Sequence, residues 1–301
     1  MKIAIRKPLG YSQIGRKDQQ EDAVWPPFED ASPSTRCVVL CDGVGGSDYG
    51  EIASQNASRV IGEFLTDRIA QVGVVYDEDI QQAVGLAYDE LERIDDGLNA
   101  GGESVTMATT LTVVCIHDEG VMAAHMGDSR IYQVRPGFGL LYQSADHSLV
   151  NALLQAGELT AEEARNFPRK NVITKAIQPH GGRRFQAETH QLTDIKNGDY
   201  IFLCCDGVLE QLTNERLIEI LSMDCSDKDK IKLLEAESTD KTKDNYTAYL
   251  IPIDKVEGAS SLVQDEDVSV VIEAESQCAA SVRKPAKKQS FFSSIVDFFK
   301  S

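Results

Sequence analysis

Residues 37–46 read CVVLCDGVGG, and residues 200–207 read YIFLCCDG. In both, an apolar run of strand character stops on an aspartate and passes into glycine. Asp-Gly is a common turn dipeptide, and a lone aspartate there is ordinarily a turn residue or a helix cap. The repetition asks for more. Acidic residues also border three further apolar stretches: Asp128 follows AAHMG, Asp244 precedes NYTAYLI, and Asp22, in GRKDQQEDAV, precedes a short apolar segment.

If these strands lie side by side in two sheets, their ends converge at one rim. Carboxylates gathered there repel and shift one another's pKa values. Cations relieve the repulsion, and a donor set of oxygens alone selects hard ions, Mg²⁺ or Mn²⁺, over zinc. Two such ions about 3.5–4 Å apart bridge a water and lower its pKa, which yields a hydroxide suited to attack on phosphorus. They also neutralise charge developing on the phosphate. Gly43 and Gly207 fit, because a backbone without Cβ can approach an ion and offer a carbonyl. A phosphatase that attacks with aspartate itself needs a second Asp two residues on. Val44 and Val208 stand at those positions, so Asp42 reads as a ligand rather than a nucleophile.

Composition narrows the field. The 301 residues are 42% hydrophobic, enough for a large core in one big domain or two. No window is apolar for the roughly 20 residues of a membrane span, and MKIAIRKPLG has no signal-peptide pattern, so the expected compartment is the cytosol. Seven cysteines without a spacing pattern argue against disulfides and against zinc; Cys41, Cys115, Cys204 and Cys205 read as buried apolar residues. A formal net charge of −18 argues against nucleic acid as a partner. No GxxxxGK[ST] or GxGxxG loop supports a nucleotide-binding fold.

The apolar period predicts helices over 51–70, 79–98, 213–222 (with Thr213 as N-cap) and 227–237, and two short helical pieces within 147–165. Strands are expected over 37–41, 109–116, 120–126, 129–134, 183–192, 199–205 and 245–253, with a hairpin connection at 117–120. The pattern calls for an α+β fold with antiparallel sheets inside and helices outside. Residues 1–253 are expected to form the catalytic domain and 254–290 a polar linker, in which 268–274 could pair as a strand. In the last segment, 291–301, Phe291, Phe292, Ile295, Val296, Phe298 and Phe299 share a helical face behind the basic residues Arg283, Lys284, Lys287 and Lys288. It reads as a peripheral membrane-surface or partner-docking helix, or as a segment folded back on its domain or disordered.

An ordered set of motifs over residues 10–253 resembles the metal-dependent serine/threonine protein phosphatases of type 2C, in their bacterial branch: SQIGRKDQQEDAV (12–24), VVLCDGVGGSDYGEIAS (38–54), MATTL (107–111), HMGDSRIY (125–132), ADHSLV (145–150), NVITKAI (171–177), DYIFLCCDGVLEQL (199–212) and DNYTAYLI (244–251). The resemblance implies a central antiparallel β-sandwich flanked on both faces by helix pairs. It implies that Asp42 bridges two Mn²⁺ or Mg²⁺ ions, that the Gly43 carbonyl ligates one, and that Asp206 and Asp244 complete the other. Glu21 and Asp22 would hold waters of the first ion, and Asp128 a third, weaker ion. Asp42 and Asp206 would then hold the nucleophilic water through the metals, and 145–177 would form a mobile flap. Substrates would be phosphorylated proteins, targets of a Ser/Thr kinase, hydrolysed without a phospho-enzyme.

Four positions depart from the family pattern. Lys17, with Arg16 beside it, stands where a phosphate-gripping arginine is usual, and Gln20 replaces an asparagine. Val44 replaces the histidine that eukaryotic members carry, so the leaving alkoxide takes its proton from water. Ala108 replaces a glycine. His125 is expected as a core or edge residue, His147 as a brace at the start of the flap, and His117, His180 and His190 as loop or surface residues. Two alternatives stay open: a phosphatase of small phosphorylated metabolites, and a binding module that has lost catalysis. Loss of ligands would mark the latter, and Asp22, Asp42, Asp206 and Asp244 are present.

Overall fold

The computed structural model describes residues 2–44, 49–99, 106–165, 167 and 172–258. In chain order they form β1 (Lys2–Ile5), β2 (Leu9–Gln13), β3 (Asp22–Trp25), β4 (Cys37–Asp42), α1 (Gly50–Val72), α2 (Asp77–Asn99), β5 (Leu111–His117), β6 (Gly120–Met126), β7 (Arg130–Arg135) and β8 (Gly139–Gln143). Then follow α3 (Leu149–Gln155), α4 (Ala161–Arg165), β9 (Glu188–Leu192), β10 (Tyr200–Cys204), α5 (Asp206–Leu209), α6 (Asn214–Ser222), α7 (Asp227–Ser238) and β11 (Tyr246–Glu257).

The strands build two antiparallel sheets. One runs β3-β4-β5-β6-β9; the other runs β1-β11-β10-β7-β8, with β2 also paired to β11. β2 and β1 take successive lengths of one edge of β11, at Tyr246–Leu250 and at Ile253–Glu257. Both faces of the central strands are covered, which is why β4 and β10 read as continuous apolar runs rather than alternating ones. In β4, Cys37, Val39 and Cys41 pack with Ala53, Ala57, Ile61 and Leu65 of α1 and with Ile80, Val84 and Leu91 of α2. Val38 faces the other way, into a layer shared with Val114, Ile201, Leu203, Tyr249 and Ile251 between the sheets. In β10, Tyr200, Phe202 and Cys204 pack with Leu217, Ile220 and Leu221 of α6 and Leu234 of α7. The result is the expected α+β sandwich with a helix pair on each face.

The long helices form as the period requires. α1 stops at Gly73, whose φ of 81° lets its N–H reach the Ile69 carbonyl. Thr213 caps α6 as expected, its side chain accepting from the Arg216 N–H. Other expectations need correction. The strand expected over 183–192 is only β9, because Arg184 is drawn onto α2 by Asp89 and Glu92, and the Phe185 N–H is taken by the Tyr88 hydroxyl. β11 runs to Glu257, past the expected end at 253, because β1 pairs with that length. β1, β2 and β8 have half-exposed, interrupted patterns that hide them from periodicity. His117 is buried at the end of β5, within reach of Gln191, and His190 lies in β9 stacked on Tyr142; neither is a loop residue. The expectations for 268–274 and 283–301 lie outside the described residues.

Candidate metal centre

The topology brings the strand-end aspartates to one rim. Asp22 opens β3 and Asp42 closes β4, directly opposite each other in register. Asp206 follows β10 and Asp244 precedes β11, the two strands being neighbours. Asp128 lies in the turn between β6 and β7. Asp42, Gly43, Asp128, Asp206 and Asp244 line one cavity of about 240 Å³, together with Val44, Thr110 and Ile173.

Several groups fix this geometry. The paired threonines clamp Asp42 by its backbone: its N–H donates to Thr110 Oγ1 (3.1 Å), and its carbonyl accepts from the Thr110 N–H (2.8 Å) and from Thr109 Oγ1 (2.9 Å). The Ala108 carbonyl accepts the Val44 N–H at 2.9 Å. At Gly43 a Cβ would stand 2.6 Å from the Gly50 backbone and 2.8 Å from the Glu21 carbonyl, so only glycine lets α1 and the 14–21 loop close here. At Gly207 a Cβ would stand 1.9 Å from the Asn245 carbonyl; its absence lets α5 lie against β11 and sets Asp206 beside Asp244. Asn245, buried and not anticipated from sequence, latches the loop: Oδ1 accepts the Glu21 N–H (2.8 Å), and Nδ2 donates to the carbonyls of Ile14 (2.8 Å) and Gln19 (2.9 Å).

The electrostatics record the crowding. Burial, then repulsion from Asp22, Asp206, Asp128 and Asp244, pushes the Asp42 carboxyl well above the usual range. Burial lifts Asp22 to about 7, with Asp206 and Asp244 adding to it against hydrogen bonds from Thr247 and Cys205. Burial and Asp206 lift Asp128 to about 7. Asp206 rises to about 6 through burial and Asp244, restrained by a hydrogen bond with Asp42. Glu21 is also raised, by burial first. Among the described residues one side-chain cation ion-pairs with the cluster: Lys17 Nζ lies 2.8 Å from Asp244 Oδ1 and 3.8 Å from Glu21 Oε2. Arg16 turns away and donates to the Asp240 carbonyl at 3.0 Å.

A sequence profile described as Protein phosphatase 2C matches residues 9–235. The chain belongs to that family. It is 30% identical over 262 residues to a putative protein phosphatase 2C-type of Streptococcus pyogenes, covering 83% of this chain and 97% of the relative. It is 32% identical over 222 residues to protein phosphatase PhpP of Streptococcus pneumoniae, covering 72% and 86%. The fold matches the S. agalactiae serine/threonine phosphatase with a TM-score of 0.63 at 27% identity, over 81% of this chain and 98% of that one. It also matches the catalytic domain of PstP, solved with two manganese ions, with a TM-score of 0.68 at 24% identity, over 84% and 100%.

The residues of this 2C phosphatase fit divalent cations on their own chemistry. Asp22 Oδ1 is buried without a hydrogen-bond partner, as is Glu51 Oε2 at the start of α1. A buried carboxylate oxygen without a donor is costly unless a cation meets it. A soft donor within reach of Asp22 and Asp42 is Cys205, which the sequence reading placed among apolar residues. Its thiol donates to Asp22 Oδ2 at 3.3 Å, and burial pushes its pKa well up, so it stays a neutral thiol. The oxygen-rich set thus keeps its hard character.

The flap is tied down at its base. The His147 N–H donates to the Gly127 carbonyl (2.8 Å), and its carbonyl accepts from Thr174 (2.7 Å). Its Nδ1 accepts the Gly127 N–H at 3.2 Å. His147 braces the flap against the turn that carries Asp128, as expected. His125 stacks on it with centroids 4.7 Å apart and donates Nε2–H to the Ala145 carbonyl. Neither histidine lines the metal cavity.

Proposed function

We propose that this serine/threonine protein phosphatase holds two Mn²⁺ or Mg²⁺ ions on Asp42, the Gly43 carbonyl, Asp206 and Asp244, with Glu21 and Asp22 behind them and a third ion on Asp128. The observation that carries the assignment is the convergence of five strand-end aspartates on one rim, with Asp22 Oδ1 left partnerless. When bound, the ions acidify a water for in-line attack on phosphorus and offset the charge of the phosphate. The chain's own residues do the rest. Thr109 and Thr110 hold the Asp42 backbone, so its carboxylate is oriented before substrate arrives. Asp22, register-paired with Asp42, keeps a proton in the metal-free protein and would give it up as cations bind.

Lys17, rather than Arg16, is assigned the substrate phosphate. Its ammonium already sits among the site carboxylates, paired with Asp244, and would be freed for the phosphate if a cation took that carboxylate. Arg16 is committed to the 240–243 loop, by its guanidinium to Asp240 and by its N–H to the Lys243 carbonyl. Val44 brings no acid to the cavity, so the leaving alkoxide is protonated by water. The substrates are phosphorylated proteins, targets of a Ser/Thr kinase, and not nucleic acid, given the net charge of −18. A cytosolic setting fits Cys37 and Cys115, whose thiols meet as a hydrogen-bonded pair at 3.8 Å rather than a disulfide across paired strands. Among the described residues no helix is long and apolar enough to cross a membrane.

The test is hydrolysis of an aryl phosphate and a phosphothreonine peptide, with Mn²⁺ and with chelator, by wild type and Asp42→Asn. Mn²⁺-dependent turnover of both, lost in the variant, is expected. Turnover that survives Asp42→Asn would overturn the ligand assignment. Turnover of the aryl phosphate but of no peptide would redirect the reading to small metabolites.

A further inference from the structure

A second cavity, of about 670 Å³, opens from the metal centre and shares Asp128, Asp206 and Asp244 with it. A substrate whose phosphate sits at the centre therefore lays a neighbouring part of itself over this groove. Its wall carries three cations, Arg130, Lys241 and Lys243, and, besides the three shared aspartates, the carboxylates of Asp146 and Glu210. Arg130 is taken by a bidentate pair with Asp146, at 2.6 and 2.7 Å. Among the described residues, Lys241 and Lys243 have no carboxylate within ion-pair distance.

These two lysines are held in place by their loop. Thr242 between them is 2% exposed, so the neighbours on either side both project to solvent. Asp240 turns the chain with a φ of 61°. The Lys241 and Thr242 N–H groups both donate to the Ser238 carbonyl. The Lys243 N–H donates to Glu210 Oε2 at 3.0 Å. Arg16 closes the other side through its bonds to Asp240 and Lys243. The backbone is pinned, and two flexible cationic arms stand free at the mouth of the site.

Overall charge makes this pair informative. A chain of net charge −18 repels acidic polypeptides at long range. Unpaired positive charge beside the site counters that repulsion for a segment placed in this groove.

We infer that the Lys241–Thr242–Lys243 loop is a specificity subsite that receives an acidic segment of the protein substrate flanking the phosphorylated residue. The inference rests on the phosphoprotein reading above. Each exposed ion pair contributes modestly, so two together favour an acidic flank by roughly 3- to 10-fold in kcat/KM at low salt. The preference fades as salt screens it.

The experiment uses the full chain with Mn²⁺ and three probes: an aryl phosphate, a phosphothreonine peptide with neutral flanks, and the same peptide with aspartates on both flanks. Wild type is compared with Lys241→Ala/Lys243→Ala and with Lys241→Glu/Lys243→Glu. The expected result is a wild-type preference for the acidic peptide, abolished by the alanines and reversed by the glutamates, with aryl phosphate turnover unchanged in all three. No wild-type preference, or a preference that survives both double variants, would overturn the subsite. Absence of Mn²⁺-dependent turnover of both peptides would instead overturn the phosphoprotein reading, a distinct outcome.

Discussion

Removing the charge of Asp22 should make the metal-free protein more stable while making it a worse enzyme. Asp22 is fully enclosed, and its carboxyl is lifted from an ordinary 3.8 to about 7. The folded chain therefore keeps a proton that the unfolded chain releases above about pH 4. Stability linked to this group is complete below the unfolded value and is lost as pH rises toward 7. Each tenfold change in proton affinity is worth about 1.4 kcal/mol, so the full loss is about 4 kcal/mol, or about 10 °C in Tm for a domain of this size. Asp206, at about 6, and Asp128, at about 7, pull in the same direction. Asn at position 22 keeps an acceptor for the Cys205 thiol but carries no titrating proton. With chelator present, denaturant unfolding of wild type and Asp22→Asn at pH 5, 6, 7 and 8 should show the variant gaining steadily as pH rises. Saturating Mn²⁺ should lift wild type more than the variant at pH 8. A difference between the two proteins that is flat from pH 5 to 8 would refute the assignment of Asp22 as a cation-awaiting carboxylate.

Other outcomes follow from the same geometry. Lys17→Met should lower kcat/KM on a phosphopeptide roughly 10- to 100-fold, the worth of a charge-assisted hydrogen bond, while Arg16→Met should stay within about threefold in steady-state kinetics. Gly207→Ala should lose Mn²⁺ affinity by calorimetry, because its Cβ would meet the Asn245 carbonyl at 1.9 Å and push Asp206 from Asp244. Asn245→Ala should cost about 2–4 kcal/mol in urea unfolding, since it strands a buried N–H and two carbonyls.

The two strand-to-aspartate stretches were legible because β4 and β10 are covered on both faces, which makes their apolar runs unbroken and their ends abrupt. Asp42 and Asp206 could be read from them directly. Asp22, Asp128 and Asp244 were visible as acids beside weaker apolar stretches, and the ordered motifs then gave them their expected roles. β1 and β2 were not legible, since their half-exposed four- and five-residue patterns acquire meaning only when β11 supplies an edge. Asn245 carried no signal of its own: its latch joins residues more than 200 positions apart. The same holds for Cys205, an apolar residue by composition and a hydrogen-bond donor to Asp22 by position.

Local patterning alone determined which segments bury themselves, where they end, and that carboxylates mark those ends, because burial and turn chemistry are written over a few neighbouring residues. Tertiary structure decided that β3 would set Asp22 against Asp42, that Gly207 would seat Asp206 beside Asp244, and that Lys17 rather than Arg16 would face the cluster. Those are contacts between distant parts of the chain, and their strength depends on distance and burial, which no local window of residues contains.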